Sequence, residues 1–188
     1  MLELPESPLA GDATGRTAGQ VRLREVRARD LALFYRHQVD AEAAHMAAFP
    51  PRNEHDFFLH WQRVLRNARV IKRTIVHDAR VAGNIVGFEE AGRMLIGYWL
   101  GRDHWGRGVA TRALRQFLEL VTQRPVYAFV AKRNRASLRV LQKCGFEIVD
   151  EGHAERPGSG EAVPELALVL RAPVSDSRNS ATTLRDAP

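Results

Sequence analysis

Apolar positions along this chain recur with two periods, and the switches between them outline the elements. Gln20 to Val26 alternates, Val21, Leu23 and Glu25 against Gln20, Arg22 and Arg24, which predicts a first strand. Behind Asp30, a residue able to cap a helix, Leu31, Phe34, Tyr35 and Gln38/Val39 fall at helical spacing. An Ala-rich segment, 40–48, predicts a short second helix, broken by Phe49-Pro50-Pro51. Asn53 caps the next helix, with Glu54 and Asp56 in its first turn and Phe57, Phe58, Trp61, Val64, Leu65 and Ala68 along it. Core packing is the first expected use of these aromatics, and lining an acceptor pocket the second.

Val70 to His77 and Arg80 to Glu89 predict two strands joined at Asp78-Ala79, and Ala91-Gly92 turns the chain into a third, Arg93 to Gly101. These three form an antiparallel meander. From Ala110 the apolar positions are 110, 113, 114, 117, 118 and 121, one face of a helix over about 108–122. Val126 to Ala131 is the fifth strand. Asn134 caps a helix, Arg135 to Cys144, whose buried side is expected to be Ala136, Val140, Leu141 and Cys144, and Gly145 stands at the left-handed position that ends it. Phe146 to Val149 starts a sixth strand, 154–162 reads as a polar loop, and Pro164 to Arg171 is a seventh. The strand–helix–strand passage over 94–131 is one crossover, so strands four and five run parallel. The class is mixed α/β (α+β), with a mostly antiparallel sheet flanked by helices. Residues 1–19 and 172–188 lack periodicity and are expected to be disordered, leaving one domain over 20–171.

Composition narrows the function classes. The net charge of +6 comes from 25 Arg and 3 Lys scattered along 188 residues, without the dense block or aromatic-interleaved patch of a nucleic-acid binder. Nucleic acid is therefore not expected as the main ligand. No apolar run approaches a membrane span, and the first residues carry acids and no basic stretch, so neither a membrane segment nor a signal peptide is expected. A single cysteine, Cys144, fits a reducing compartment, with the cytoplasm as default. His55 and His60 stand five apart with no third ligand nearby, so no metal site is expected.

The stretch that organises the chain is Met94 to Thr111. A strand passes through a polar turn into Gly106-Arg107-Gly108-Val109-Ala110-Thr111 and then a helix. Free N–H groups of a first helical turn, with the helix dipole behind them, favour an anion. The segment lacks the third glycine of a dinucleotide fingerprint and the Gly-Lys-Ser/Thr of a P-loop, and an ordinary tight connection is the alternative use of such a loop.

Residues 132–146, Lys-Arg-Asn-Arg-Ala-Ser-Leu-Arg-Val-Leu-Gln-Lys-Cys-Gly-Phe, sharpen this. Together with Gly-Tyr-Trp-Leu and Trp-Gly-Arg-Gly-Val-Ala-Thr-Arg-Ala-Leu, they resemble the GCN5-related N-acetyltransferase (GNAT) superfamily over about 20–171, nearest the ribosomal-protein N-terminal acetyltransferase (RimJ/RimL-like) branch. The resemblance implies a seven-stranded GNAT fold with strands four and five splayed, and acetyl-CoA as co-substrate without a metal. It implies pyrophosphate on the loop and helix start at Trp105, Gly106, Arg107, Gly108, Val109, Ala110 and Thr111. It implies pantetheine against the backbone of Tyr98, Trp99 and Leu100, the Leu100 amide polarising the thioester carbonyl, and Asn134 and Ser137 near the coenzyme. Arg102, Arg107, Arg112, Lys132 and Arg133 are further candidates to meet phosphate.

Two departures stand out. Trp105 occupies the place of the family's usual Gln or Arg. Leu141 occupies the place of the tyrosine that protonates the leaving thiolate in many members, which leaves Ser137, Tyr98, a water or no acid at all. Glu89 or Glu90 is the candidate base, acting through water. Cys144 reads as a buried helix residue. The expected activity is acetyl transfer to a primary amine, on a protein N-terminus or a small molecule, by direct attack in a ternary complex. The alternative is a coenzyme A-binding module without chemistry. The acceptor is expected between 34–61 and the loop 152–163, where Glu151, Glu155 and Glu161 would draw a cationic acceptor. A monomer or a homodimer is expected, an exposed edge of the seventh strand being the surface available for pairing.

Overall fold

The computed structural model describes residues 19–155 and 162–172. Residues 1–18 and 173–188 of the lead and tail expected to be disordered, and 156–161 of the expected polar loop, lie outside the described residues.

The chain runs β1 (Val21–Arg24), α1 (Leu31–Gln38), α2 (Ala41–Ala47), α3 (Glu54–Arg66), β2 (Ile71–His77), β3 (Arg80–Glu90), β4 (Arg93–Leu100), α4 (Val109–Leu120), β5 (Val126–Ala131), α5 (Arg135–Lys143), β6 (Glu147–Glu155) and β7 (Ala162–Leu170). One sheet holds all seven strands in the order β1-β2-β3-β4-β5-β7-β6. Only β4 and β5 are parallel, as the crossover requires. The meander turns form without Asn-Gly. Asp78, Ala79, Ala91 and Gly92 all take the positive φ that a tight hairpin needs at both central positions.

The sheet is covered on both faces. On one, α4 and α5 bury Val109, Leu114, Phe117 and Leu141 against Ile75, Ile85, Val126 and Leu168. On the other, α1 and α3 bury Phe34, Phe57 and Trp61 against Val81 and Val86. Fully burying one such side chain contributes about 1.5–3 kcal/mol, so the two helical layers hold the sheet from either side.

Four expectations are corrected. The seventh strand is not an edge: β7 lies between β5 and β6, and β6 is the edge. Strand β6 also continues to Glu155, paired from Glu147↔Val169 to Glu155↔Ala162, so much of the expected loop 152–163 is hairpin. Its side chains are exposed almost throughout, and a strand held by backbone pairing alone leaves no apolar alternation to read. Helix α5 turns Leu138 and Leu141 inward while Ala136 is exposed, because the Ala136 side borders a cavity rather than the core.

Asp30 is the fourth. Its carboxylate does not cap α1; it turns back to Arg24 (2.5 and 2.8 Å), the Arg27 amide (2.9 Å) and the Thr74 hydroxyl (2.8 Å). A single turn of 3-10 helix, Ala28–Asp30, makes this possible and ties α1 to β1 and β2. Asp30 is only 3% exposed. Burial by itself would raise its pKa, but the three donors outweigh it and hold it down to about 2.

A depressed carboxylate contributes stability above its unfolded pKa and loses it as pH falls toward the folded one. Asp30→Asn should therefore cost about 2 kcal/mol near pH 7, with the gap to wild type closing between about pH 4 and pH 2. Urea unfolding across that range checks it; a gap independent of pH would show that the carboxylate charge is not what Asp30 contributes.

Candidate functional site

Strand β4 is paired along its whole length with β3, from Glu90↔Arg93 to Gly83↔Leu100. With β5 it pairs only at Met94↔Val126 and Leu95↔Tyr127. Beyond that point β5 follows β7, six positions in register, and the two parallel strands separate. The Gly101 amide donates to the Ala82 carbonyl at 2.9 Å. Since antiparallel N–H groups alternate between the two sides of a strand, those of Tyr98 and Leu100 point away from β3, into the gap. Gly83 allows the close approach: a Cβ there would overlap the Trp99 carbonyl oxygen.

The gap opens into a cavity of about 380 Å³, bounded by the end of β4, the loop before α4, the first turn of α4 and the flank of α5. Tyr98, Trp99, Leu100, Trp105, Gly106, Gly108, Val109, Ala110, Thr111, Asn134 and Ser137 all line it. A second 3-10 turn, Arg102–His104, brings the chain round to the loop, and the Trp105 indole pins it by donating to the Leu100 carbonyl at 3.0 Å. Gly106 and Gly108 both have φ near +70°, which other residues rarely adopt. Gly108 is the N-cap of α4, so no side chain covers the first-turn amides.

The arginine candidates divide. Arg102 is taken up by Glu42 (2.6 Å) and Asp40 (3.4 Å) at the start of α2. Lys132 is paired with Glu151. Arg107 and Arg133 are exposed and make no ion pair with a described residue. Arg112 leans on the loop, donating to the Arg107 carbonyl at 3.1 Å, with its Nε buried and unpartnered.

Asn134 caps α5 by accepting from the Ser137 amide at 3.0 Å. The Ser137 hydroxyl meets the Tyr98 hydroxyl at 2.8 Å, a link between α5 and β4 across the cavity. Burial raises the Tyr98 pKa to about 12, against the lowering effect of the Ser137 bond, so the phenol stays protonated. Leu141 is 2% exposed within the core and faces no cavity. Cys144 is half-buried, and burial pushes its thiol up, away from the thiolate a nucleophile needs.

A second cavity, about 730 Å³, lies on the α1–α3 side and also reaches Tyr98 and Trp99. Its apolar lining is Phe34, Phe49, Phe57, Trp61 and Phe88; its polar lining includes Gln38, Arg52, His60, Arg69 and Glu89. The Trp99 indole donates to the His37 carbonyl at 2.8 Å, which fixes the end of α1 beside β4. Gln38 is 8% exposed and its Oε1 has no hydrogen-bond partner. An unmet buried acceptor costs about 1–3 kcal/mol. Of the two acidic neighbours on β3, Glu89 lines the cavity and Glu90 does not. Glu89 stands opposite Met94, four strand positions and about 13 Å from the level of Tyr98. It reaches that level only across water. Burial lowers the His60 pKa, with Arg52 and Arg63 adding to the effect, so its imidazole is neutral near pH 7.

The residues of the motifs thus line the first cavity, while Gln38, Arg52 and His60 in the second fall within the 34–61 segment but were given no binding role from sequence. Gln38 left a trace, a polar residue on the apolar side of α1 one turn past Phe34. The end of α1 decides between Gln38 and Val39: Gln38 is buried and Val39 is 41% exposed.

Among the described residues no helix is long and apolar enough to cross a membrane, and no group of three His, Cys, Asp or Glu is arranged to hold a metal ion. The sequence matches a family model described as acetyltransferase (GNAT) domain over residues 20–147. An uncharacterized N-acetyltransferase p20 of Bacillus licheniformis is 33% identical over 63 residues, covering 31% of this chain and 35% of that protein. The match thus spans about a third of that relative's length. RimJ of Mycobacterium smegmatis, solved with CoA-disulfide, is 26% identical at a TM-score of 0.64, covering 82% of this chain and 83% of that one. Spermidine N-acetyltransferase of Vibrio cholerae, solved with CoA and spermine, shares the fold at a TM-score of 0.70 and 14% identity, over 81% of this chain and 95% of that one. The microcin C7 self-immunity acetyltransferase MccE, solved with acetyl-CoA and AMP, does so at 0.68 and 15%, over 81% and 92%. With a family match across more than half its length, on a sheet that opens where β4 and β5 part, this chain belongs to the GNAT acetyltransferase family.

Proposed function

We propose that this protein transfers an acetyl group from acetyl-CoA to a primary amine, with the coenzyme in the smaller cavity and the amine in the larger. The single observation that carries this is the meeting of the two cavities at Tyr98 and Trp99, on the one stretch of β4 whose amides face the gap. Neighbours solved with CoA or acetyl-CoA support the donor, and those solved with spermine or AMP as well support a second site for an acceptor. The catalytic unit is residues 20–171, and the unpaired Cys144 suits the cytoplasm.

In this reading the pyrophosphate rests on the amides of Gly106 to Thr111, helped by Arg112 and, at the rim, Arg107. Asn134 and Ser137 border the coenzyme from α5. The pantetheine pairs with β4 in place of the strand that β5 no longer supplies. The Leu100 amide donates to the thioester oxygen, where charge grows as the tetrahedral intermediate forms. The amine nitrogen attacks the carbonyl carbon; the C–N bond forms and the C–S bond breaks. The amine proton leaves through water to solvent or to Glu89. The thiolate takes its proton from Tyr98, which Ser137 orients, and the phenolate recovers a proton from solvent water relayed through the Ser137 hydroxyl. This pair replaces the acid that Leu141 cannot be. Positioning two substrates across one strand supplies most of the rate.

Acetyl-CoA at about 100 times its Kd should raise the unfolding midpoint by roughly 5–10 °C. Gly108→Glu, which sets a carboxylate where the phosphate would sit, should remove the shift. A folded protein that shows no shift at millimolar donor would end the proposal.

Tyr98→Phe should lower kcat about 10- to 100-fold with little change in the donor KM. Because Tyr98 stays protonated, the wild-type kcat should not fall between about pH 8 and pH 10. An unchanged kcat in the mutant would remove Tyr98 as the acid. Donor binding without turnover of any amine would favour the non-catalytic module instead.

A further inference from the structure

The larger cavity has a charge pattern that bears on which amine it takes. Two of its three lining charges are positive. Arg52 is half-buried, its guanidinium 5.2 Å from the centre of the Phe49 ring. Neither Arg52 nor Arg69 makes an ion pair with a described residue. Asp56, the carboxylate whose field reaches Arg52, is exposed and bonded to the Asn53 side chain at 2.8 Å. The third charge, Glu89, stands at the far end of the strand from Tyr98. A polycation would meet two unpaired arginines and one distant carboxylate. The carboxylates expected to draw a cation lie elsewhere: Glu151 is paired with Lys132, and neither it nor Glu155 lines the cavity.

The rest of the lining has a different chemistry. Phe34, Phe57 and Trp61 form an aromatic wall, with Phe34 and Trp61 rings 5.0 Å apart. Beside it, at the end of α1 next to β4, is Gln38 with its unpartnered Oε1. That oxygen can only accept, and a neutral primary amine is a donor that fits it. Arg52, over the Phe49 ring and without an ion pair to a described residue, suits a carboxylate on the same molecule, since its planar fork matches one.

We infer that the amine acetylated here carries an apolar or aromatic body and a carboxylate, with Gln38 accepting from the amine and Arg52 meeting the carboxylate. This rests on the acetyl-transfer reading above and narrows its acceptor. A free α-amino acid and a peptide N-terminus followed by an acidic residue share this chemistry. Both place an amine and a carboxylate on one short apolar frame, and both exclude a polyamine.

The test follows thiol release from acetyl-CoA by the full chain with matched amines: L-phenylalanine against L-phenylalaninamide, the dipeptide Phe-Asp against Phe-Asn, and spermidine. Values of kcat/KM are corrected for the fraction of neutral amine at each pH. At least one carboxylate-bearing member should exceed both its uncharged partner and spermidine about tenfold or more, and the pair that shows this identifies the source. Arg52→Glu should abolish that preference while leaving the acetyl-CoA-induced rise in unfolding midpoint intact, since Arg52 does not line the donor cavity. Gln38→Leu should raise the acceptor KM at least tenfold, and Gln38→Glu, which keeps an oxygen, should recover part of it. Equal or better turnover of the amides or spermidine would overturn the inference. So would turnover of none of these amines by a protein that still binds the donor. A protein that acetyl-CoA does not stabilise would instead overturn the acetyl-transfer reading, and the inference with it.

Discussion

Everything in this molecule that bears on chemistry depends on β4 keeping β3 and losing β5. Two register pairs hold the parallel strands together; past Leu95 the amides on one side of β4 have no strand to meet. Backbone donors inside a sheet are not left unmatched without cause, because each costs free energy comparable to a lost hydrogen bond. In the acetyl-transfer reading proposed above, the pantetheine arm meets these amides. The gap stays open because β4 follows β3 along its whole length and β5 follows β7, and the two pairs hold the parallel strands on separate courses past Leu95.

The surrounding elements hold that opening from both sides. Trp105 ties the loop back to the Leu100 carbonyl, and Trp99 ties α1 to the opposite face of the same strand. Tyr98 reaches α5 through Ser137. Three consecutive strand residues thus fasten the glycine loop before α4, the end of α1 and the start of α5. A shift of any of them would move the others, and the two cavities meet at these same residues, Tyr98 and Trp99. The two sides also differ in their means of recognition. The donor side offers backbone amides and a helix start, suited to phosphate. The acceptor side offers aromatic rings, two unpaired arginines and one unmet amide oxygen.

Much of the donor side was legible in the chain. Strand, glycine loop and helix carry their own signals: an apolar run, glycines that adopt φ near +70°, and an apolar face at helical spacing. The Asn134 cap and the terminal Gly145 were equally local, since a side chain and its own backbone decide them. Where the reading failed, the deciding partner was distant. Asp30 reads as a cap for the helix after it, yet Arg24 and Thr74 hold it. Strand β6 has no inward face, so only its pairing with β7 defines it, and that pairing also makes it the edge.

The sequence by itself determined the order and type of elements, the parallel crossover and the family, because periodicity, capping and turn chemistry act over a few residues. Tertiary structure alone decided which residues of the 34–61 segment line the larger cavity. Gln38 and His60, on helices, and Arg52, in the loop before α3, are ordinary polar residues until α1 and α3 are laid across the sheet, and Tyr98 and Ser137, each a candidate acid in the sequence, become one hydrogen-bonded pair only when α5 is laid beside β4. Those roles rest on contacts between segments far apart in the chain, which no local pattern encodes.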